Sequence, residues 1–189
     1  VLGEDAMPGT PEFDIFIKEV RKEMTVKCGQ KCTAIRRIIV PENLIEEVQN
    51  GIAARLKTTV IGDPSQEGVR MGALATRIQV ERVRESVELL AKSQNIVFGD
   101  LDEFEVIVAD KHKGAFFAPI LFRNDQPYIN TDVHNIEAFG PVSTIMPYKN
   151  MDDAIELARM GKGSLVSSIV TPNDDEAKEF VINAASMHG

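Results

Sequence analysis

At 189 residues, with 43% hydrophobic and 26% charged side chains, the chain is long enough to bury a core and has an ordinary globular make-up. A net charge of −8, with lysines and arginines scattered, leaves no basic stripe to neutralise phosphates and argues against a nucleic-acid binder. No stretch approaches a membrane span, no basic region leads into an apolar run at the N-terminus, and two cysteines do not make a disulfide scaffold, so a reducing, cytoplasmic home is expected.

Strand-like and helix-like segments alternate along the chain. Phe13, Phe16, Ile17 and Val20 have helical spacing over Phe13 to Met24. A polar turn follows, from Lys27 through Cys28-Gly29-Gln30-Lys31 to Cys32, and then a β-branched strand from Ile35 to Val40 that stops at Pro41. Leu44 to Leu56 reads as a helix, Gly62 to Gly72 as a loop, and Thr76 to Lys92 as a long amphipathic helix. Asn95 to Phe98 is a short strand, Leu101 to Lys113 a polar excursion, and Ala115 to Phe122 an apolar run long enough for a buried strand. Thr131 to Gly140 is a loop by composition, and Val142 to Tyr148 a strand. Met151 to Met160 is a helix, Leu165 to Val170 a strand, and Asn173 to Ala185 a helix whose Asp174, Asp175 and Glu176 form an acidic first turn rather than a metal site.

This order predicts an α/β fold: an open, largely parallel sheet with helices on both faces and ligands beyond the carboxyl ends of strands. Gly161-Lys162-Gly163 follows a helix instead of opening one, so no phosphate cradle can be argued from it. Both chain ends, Val1-Leu2-Gly3 and Ala184 to Gly189, read as cuts, and residues 1–189 are expected to be one catalytic domain of a longer protein.

Two places carry chemistry. Cys32 sits in a turn between a helix and a strand, where a thiol is accessible and its own N–H can face an oxyanion. On side-chain chemistry alone, a small buried residue is the commoner role for cysteine. Glu137-Ala138-Phe139-Gly140-Pro141-Val142 puts a carboxylate and an aromatic face on one tight turn, a pairing that suits a sugar hydroxyl beside a planar ring. Read alone, the favoured reading is a strand-entry turn with a solvated acid. Cys28, without nearby histidine or carboxylate partners, is a packing residue and not half of a metal site. His112 and His134 are expected in polar loops and His188 at the cut end, so none is assigned acid–base chemistry.

Together, Gly29-Gln30-Lys31-Cys32-Thr33 and, about a hundred residues on, Glu137-Ala138-Phe139-Gly140-Pro141-Val142 resemble the two signature turns of the aldehyde dehydrogenase superfamily. Gly62-Asp63-Pro64 is similar to a further family loop. The resemblance covers essentially the whole chain. It implies that Cys32 is the nucleophile, that Glu137 binds the nicotinamide ribose of NAD or NADP, and that Phe139 packs beside the nicotinamide. It also aligns Gln79 with a residue that reaches the cofactor ribose. The stretches Glu23 to Lys27 and Gly29 to Asn43 are similar to the dehydrogenase half of the bifunctional ring-opening enzymes of phenylacetate breakdown.

That likeness implies NAD(P)-dependent oxidation of an aldehyde, one linked to CoA, to the acid through a cysteine thioester. Alternatives are a CoA-acylating dehydrogenase and a family member kept as a non-catalytic binding protein. The resemblance further implies homo-oligomers and a general base, second oxyanion donor and nucleotide-binding domain upstream of Val1. A hydratase-like domain would follow Gly189.

Overall fold

In the computed structural model, which describes residues 1–188, six helices flank a four-stranded sheet. Helix α1 (Pro11–Thr25) starts where Thr10 Oγ1 accepts the Phe13 N–H and Pro11 fills the first helical position, which needs no donor. Its Phe13, Phe16, Ile17, Val20 and Met24 make one buried stripe. Strand β1 (Arg37–Pro41) leads through a single turn into α2 (Ile45–Lys57), with acids in its first turn and bases in its last. Helix α3 (Arg77–Leu90) is capped by Thr76 and buries Val83, Val87 and Leu90.

Beyond α3 come β2 (Asn95–Phe98), β3 (Ile120–Arg123), the single-turn α4 (Asp132–Asn135) and β4 (Val142–Tyr148). Helices α5 (Met151–Arg159) and α6 (Asp174–Ala184) close the chain, capped by Asn150 and Asn173. As the acidic first turn predicts, Asp174, Asp175 and Glu176 open α6.

The strand order is β1-β4-β3-β2. The two inner pairings are parallel, and β2 is an antiparallel edge strand, so the sheet is mixed. Period-two alternation divides the core. Ile38, Val40, Leu121 and Ile145 pack on α1 and α2. On the other face, Ile120, Phe122 and Val142 meet α3, while Ile39, Met146 and Tyr148 meet α5 and α6. Each fully buried aliphatic contributes roughly 1.5–3 kcal/mol, so two covered faces are what hold a sheet this small. Among the described residues, no helix is long and apolar enough to cross a membrane.

Four expectations change. The apolar run from Ala115 becomes a strand only at Ile120, because Pro119 has no N–H for the ladder; Ile120 N–H then reaches Pro141 O at 2.9 Å. Leu165 to Val170 is not a strand. Its only ladder contact is one parallel bridge to Leu2, and Leu165 and Val166 are exposed. The loop from Thr131 contains α4.

The fourth change concerns the site. Both signature turns enter their strands, so they lie at the amino ends of β1 and β4 and not beyond carboxyl ends. Because β1 and β4 are adjacent and parallel, their entry turns must be neighbours. The register pairs Arg37 with Thr144; five residues before each stand Cys32 and Phe139. Sheet pairing thus joins two turns a hundred residues apart in sequence.

Candidate active site

The Cys32 turn is built by a reversal after α1. Lys27, Cys28 and Gly29 all adopt left-handed backbone, with φ of 52°, 53° and 67°. Such a conformation is free for glycine and costs about 1–2 kcal/mol per ordinary residue. It sends the two thiols in opposite directions. Cys28 is 1% exposed in the apolar cluster with Val83, Ala138 and Val142, and burial pushes its pKa up to about 12. Cys32 is exposed, and among the described residues its N–H has no backbone acceptor. Cys28 therefore stays a protonated packing residue, while Cys32 presents thiol and amide together to the outside.

The Glu137 turn alternates in the same way. Ala138 and Gly140 are buried, while Glu137 and Phe139 face outward, the ring 39% exposed. Cys32, Glu137 and Phe139 line one cleft of about 820 Å³. Two glycines permit this approach. A Cβ on Gly29 would overlap the Gly140 carbonyl, 2.6 Å from its carbon, and one on Gly140 would lie 2.8 Å from Val83 Cγ1. Gln30 stitches the same junction: its Oε1 accepts the Ala75 N–H at 2.8 Å and its Nε2 donates to Phe139 O at 3.3 Å.

The third predicted contact, Gln79, is not among the residues lining the cleft. It occupies the first turn of α3, where its backbone N–H meets Thr76 Oγ1, and its side-chain Oε1 is buried without a partner. Threonine three residues before glutamine is the pattern of a capping box, of which only the threonine half forms here.

Two adjacent arginines at the entry of β1 organise the surroundings. Arg36 donates from Nη1 to Gly140 O at 2.8 Å and from Nη2 to Gly29 O at 2.6 Å, joining both turns. Its guanidinium lies 5.4 Å from the centre of the Phe139 ring, and its Nε faces Glu137 Oε1 at 3.7 Å. Burial pulls the Arg36 pKa below its ordinary value, and the Glu137 carboxylate opposes that pull.

Arg37, the next residue, points the other way. It donates to carbonyls at the end of α5, Leu157 O at 2.6 Å and Ala158 O at 3.0 Å, a favourable place for a cation. Arg37 also meets His134 Nδ1 at 3.2 Å. An arginine can only donate, so Nδ1 accepts and Nε2 carries the proton toward Pro127 O at 3.0 Å. Both ring nitrogens are engaged, which makes His134 a structural group although it borders the cleft. The signal for both arginines was available: a charge inside an apolar strand entry must find partners.

Among the described residues no group of three or more histidines, cysteines or acids is placed to hold a metal. The donors present fit the nicotinamide end of a dinucleotide instead. Glu137 has a 62% exposed carboxylate with lone pairs open to outside hydroxyls, next to the outward Phe139 ring.

Comparison with known proteins identifies the family. A profile of the "Aldehyde dehydrogenase family" matches residues 10–186. The chain is 41% identical over all 189 residues to 3,4-dehydroadipyl-CoA semialdehyde dehydrogenase of Aromatoleum evansii, of which it covers 37%. It is 43% identical over 120 residues (63% of the chain) to Protein MaoC of Klebsiella aerogenes, covering 34% of that protein. It thus spans about a third of these relatives' length. A solved betaine aldehyde dehydrogenase double mutant from Staphylococcus aureus, in complex with NAD+, shares the fold with a TM-score of 0.77 at 20% identity, over 88% of this chain and 33% of that one. By its matched residues and its full-length relative, this chain belongs to the aldehyde dehydrogenase family.

Proposed function

We propose that this chain is the thiol-bearing catalytic segment of an NAD(P)-dependent dehydrogenase that oxidises a CoA-linked semialdehyde to the acid. One observation carries the reading: an exposed Cys32 shares a cleft with an outward carboxylate, Glu137, and an outward ring, Phe139. The full-length likeness to an enzyme named for a CoA semialdehyde supports the substrate class. General base, second oxyanion donor and adenine-binding elements are assigned to parts of a longer chain, which works as a homo-oligomer.

In this reading the Cys32 thiolate adds to the aldehyde carbon, and the new oxyanion is met by the Cys32 N–H. Glu137 and Phe139 hold the nicotinamide ribose and ring, and Gln79 adds a ribose contact after a shift of its side chain. Bound there, NAD or NADP supplies the hydride acceptor. The Cys32 adduct becomes a thioester, and water, deprotonated by the base, takes the acyl group and returns the thiol. Sulfur suits both steps because it attacks well and leaves well.

The test is product analysis on the full-length protein with a CoA-linked semialdehyde and either dinucleotide, with and without free CoA. Acid formation coupled to NADH or NADPH supports the reading. Thioester product that requires free CoA would make the enzyme acylating, and absence of any oxidation would leave a binding protein.

A further inference from the structure

We propose that Arg36 is a positioning residue that couples the thiol turn to the cofactor turn; the idea rests on the dehydrogenase reading above. Arg36 is the one side chain described here that donates to both turns at once, through Gly29 O and Gly140 O. A longer contact from Nη2 reaches Lys31 O at 3.5 Å, directly before Cys32. The same guanidinium flanks the Phe139 ring.

The geometry needs arginine. Two nitrogens at the ends of one rigid fork satisfy carbonyls on two separate chain segments, and the flat face remains for the ring. A lysine ammonium is a single point that cannot span both carbonyls and also cover Phe139. The side chain is 18% exposed, so each bond is made where water competes poorly.

The contact with Glu137 is informative for what it lacks. Arg36 Nε is buried with no hydrogen-bond partner, and Glu137 Oε1 stands at 3.7 Å, beyond hydrogen-bond reach. The cation therefore stands beside the carboxylate without consuming its lone pairs, which stay open to a ribose diol. A shorter pair would have occupied the group the cofactor needs. Arg36 acts through Glu137, Phe139 and the Cys32 turn and touches no reacting atom.

The test is a double-mutant cycle in the full-length enzyme, reading NAD(P) dissociation constants by calorimetry alongside kcat and KM. Arg36→Lys keeps charge and stem; Arg36→Gln, a neutral donor, is the second variant. Each should weaken cofactor binding about tenfold in a protein that still folds, with a lower melting temperature because two part-buried carbonyls lose their donor. Paired with Phe139→Leu, the losses should overlap, because both changes disturb one turn. Wild-type affinity in a folded Arg36 variant, or losses that multiply in the double variant, would overturn the coupling. Failure of both variants to fold would make Arg36 a folding residue and overturn it too. Wild-type protein that binds neither dinucleotide would sink the dehydrogenase reading and this proposal together, whereas normal wild-type binding with unaffected variants would sink this proposal alone.

Discussion

Gly29 and Gly140 meet backbone to backbone, with no room for a side chain on Gly29 beside the Gly140 carbonyl. This contact sets the distance between the thiol turn and the cofactor turn, and it gives a direct stability contrast. Gly29→Ala should destabilise by at least about 2 kcal/mol, since it adds overlap to a left-handed backbone. Gly68 has φ +88° and nothing within 4 Å, so Gly68→Ala should cost only about 1 kcal/mol. Urea titrations of the two variants give the answer; equal losses would mean that the Gly29–Gly140 approach is not tight in solution.

The two cysteines should separate cleanly. At pH 7.5, iodoacetamide should alkylate Cys32 in the folded protein and spare Cys28, which is buried and protonated. Peptide mapping by mass spectrometry reads this directly. Cys32→Ala should abolish aldehyde oxidation in the full-length enzyme, while Cys28→Ala should keep most activity and lose about 1 kcal/mol of stability. Equal loss of activity from both changes would refute the assignment.

Glu137→Gln should alter cofactor affinity or the hydride-transfer rate without slowing thioester hydrolysis, because an amide oxygen accepts ribose hydroxyls less strongly than a carboxylate. Rapid-quench measurements separate the two steps. Accumulation of acyl-enzyme after hydride transfer at the normal rate would make Glu137 the hydrolytic base.

His134 predicts a pH response. Burial lowers its pKa below the ordinary value of about 6.5, with Arg37 and Lys162 adding to the shift and the Pro127 carbonyl opposing it. The unfolded chain then binds more protons than the folded one on the acid side. The stability tied to His134 is therefore present above about pH 6.5 and lost as the pH falls toward the folded-state value. Melting temperatures should drop over that range in the wild type and drop less in His134→Asn. Parallel curves for the two would show that His134 does not contribute.

The start of α6 was legible because its cause is local, a cap and charges at Asn173-Asp174, whereas α1 begins at Pro11, two residues before the start that apolar spacing from Phe13 suggests. Pro119 could have trimmed the predicted strand in the same way. Leu165 to Val170 could not be judged locally, since β-branched residues make a strand only when a partner runs beside them. Cys32, Glu137 and Phe139 were legible as motifs, but their shared cleft depends on β1 pairing with β4 across a hundred residues. The Arg36 charge at a strand entry was visible as a group in need of partners, but which carbonyls it meets was not, because they come together only after the pairing forms.

In the proposed reaction Cys32 carries the acyl group between oxidation and hydrolysis. The most direct measurement mixes full-length enzyme, CoA-linked semialdehyde and NADP or NAD, quenches in acid within one turnover, and maps the modified peptide by mass spectrometry. An added acyl mass on Cys32 should appear with the reduced dinucleotide and decay as acid is released. Reduced dinucleotide formed with Cys32 unmodified throughout, or the acyl mass on Cys28, would contradict it.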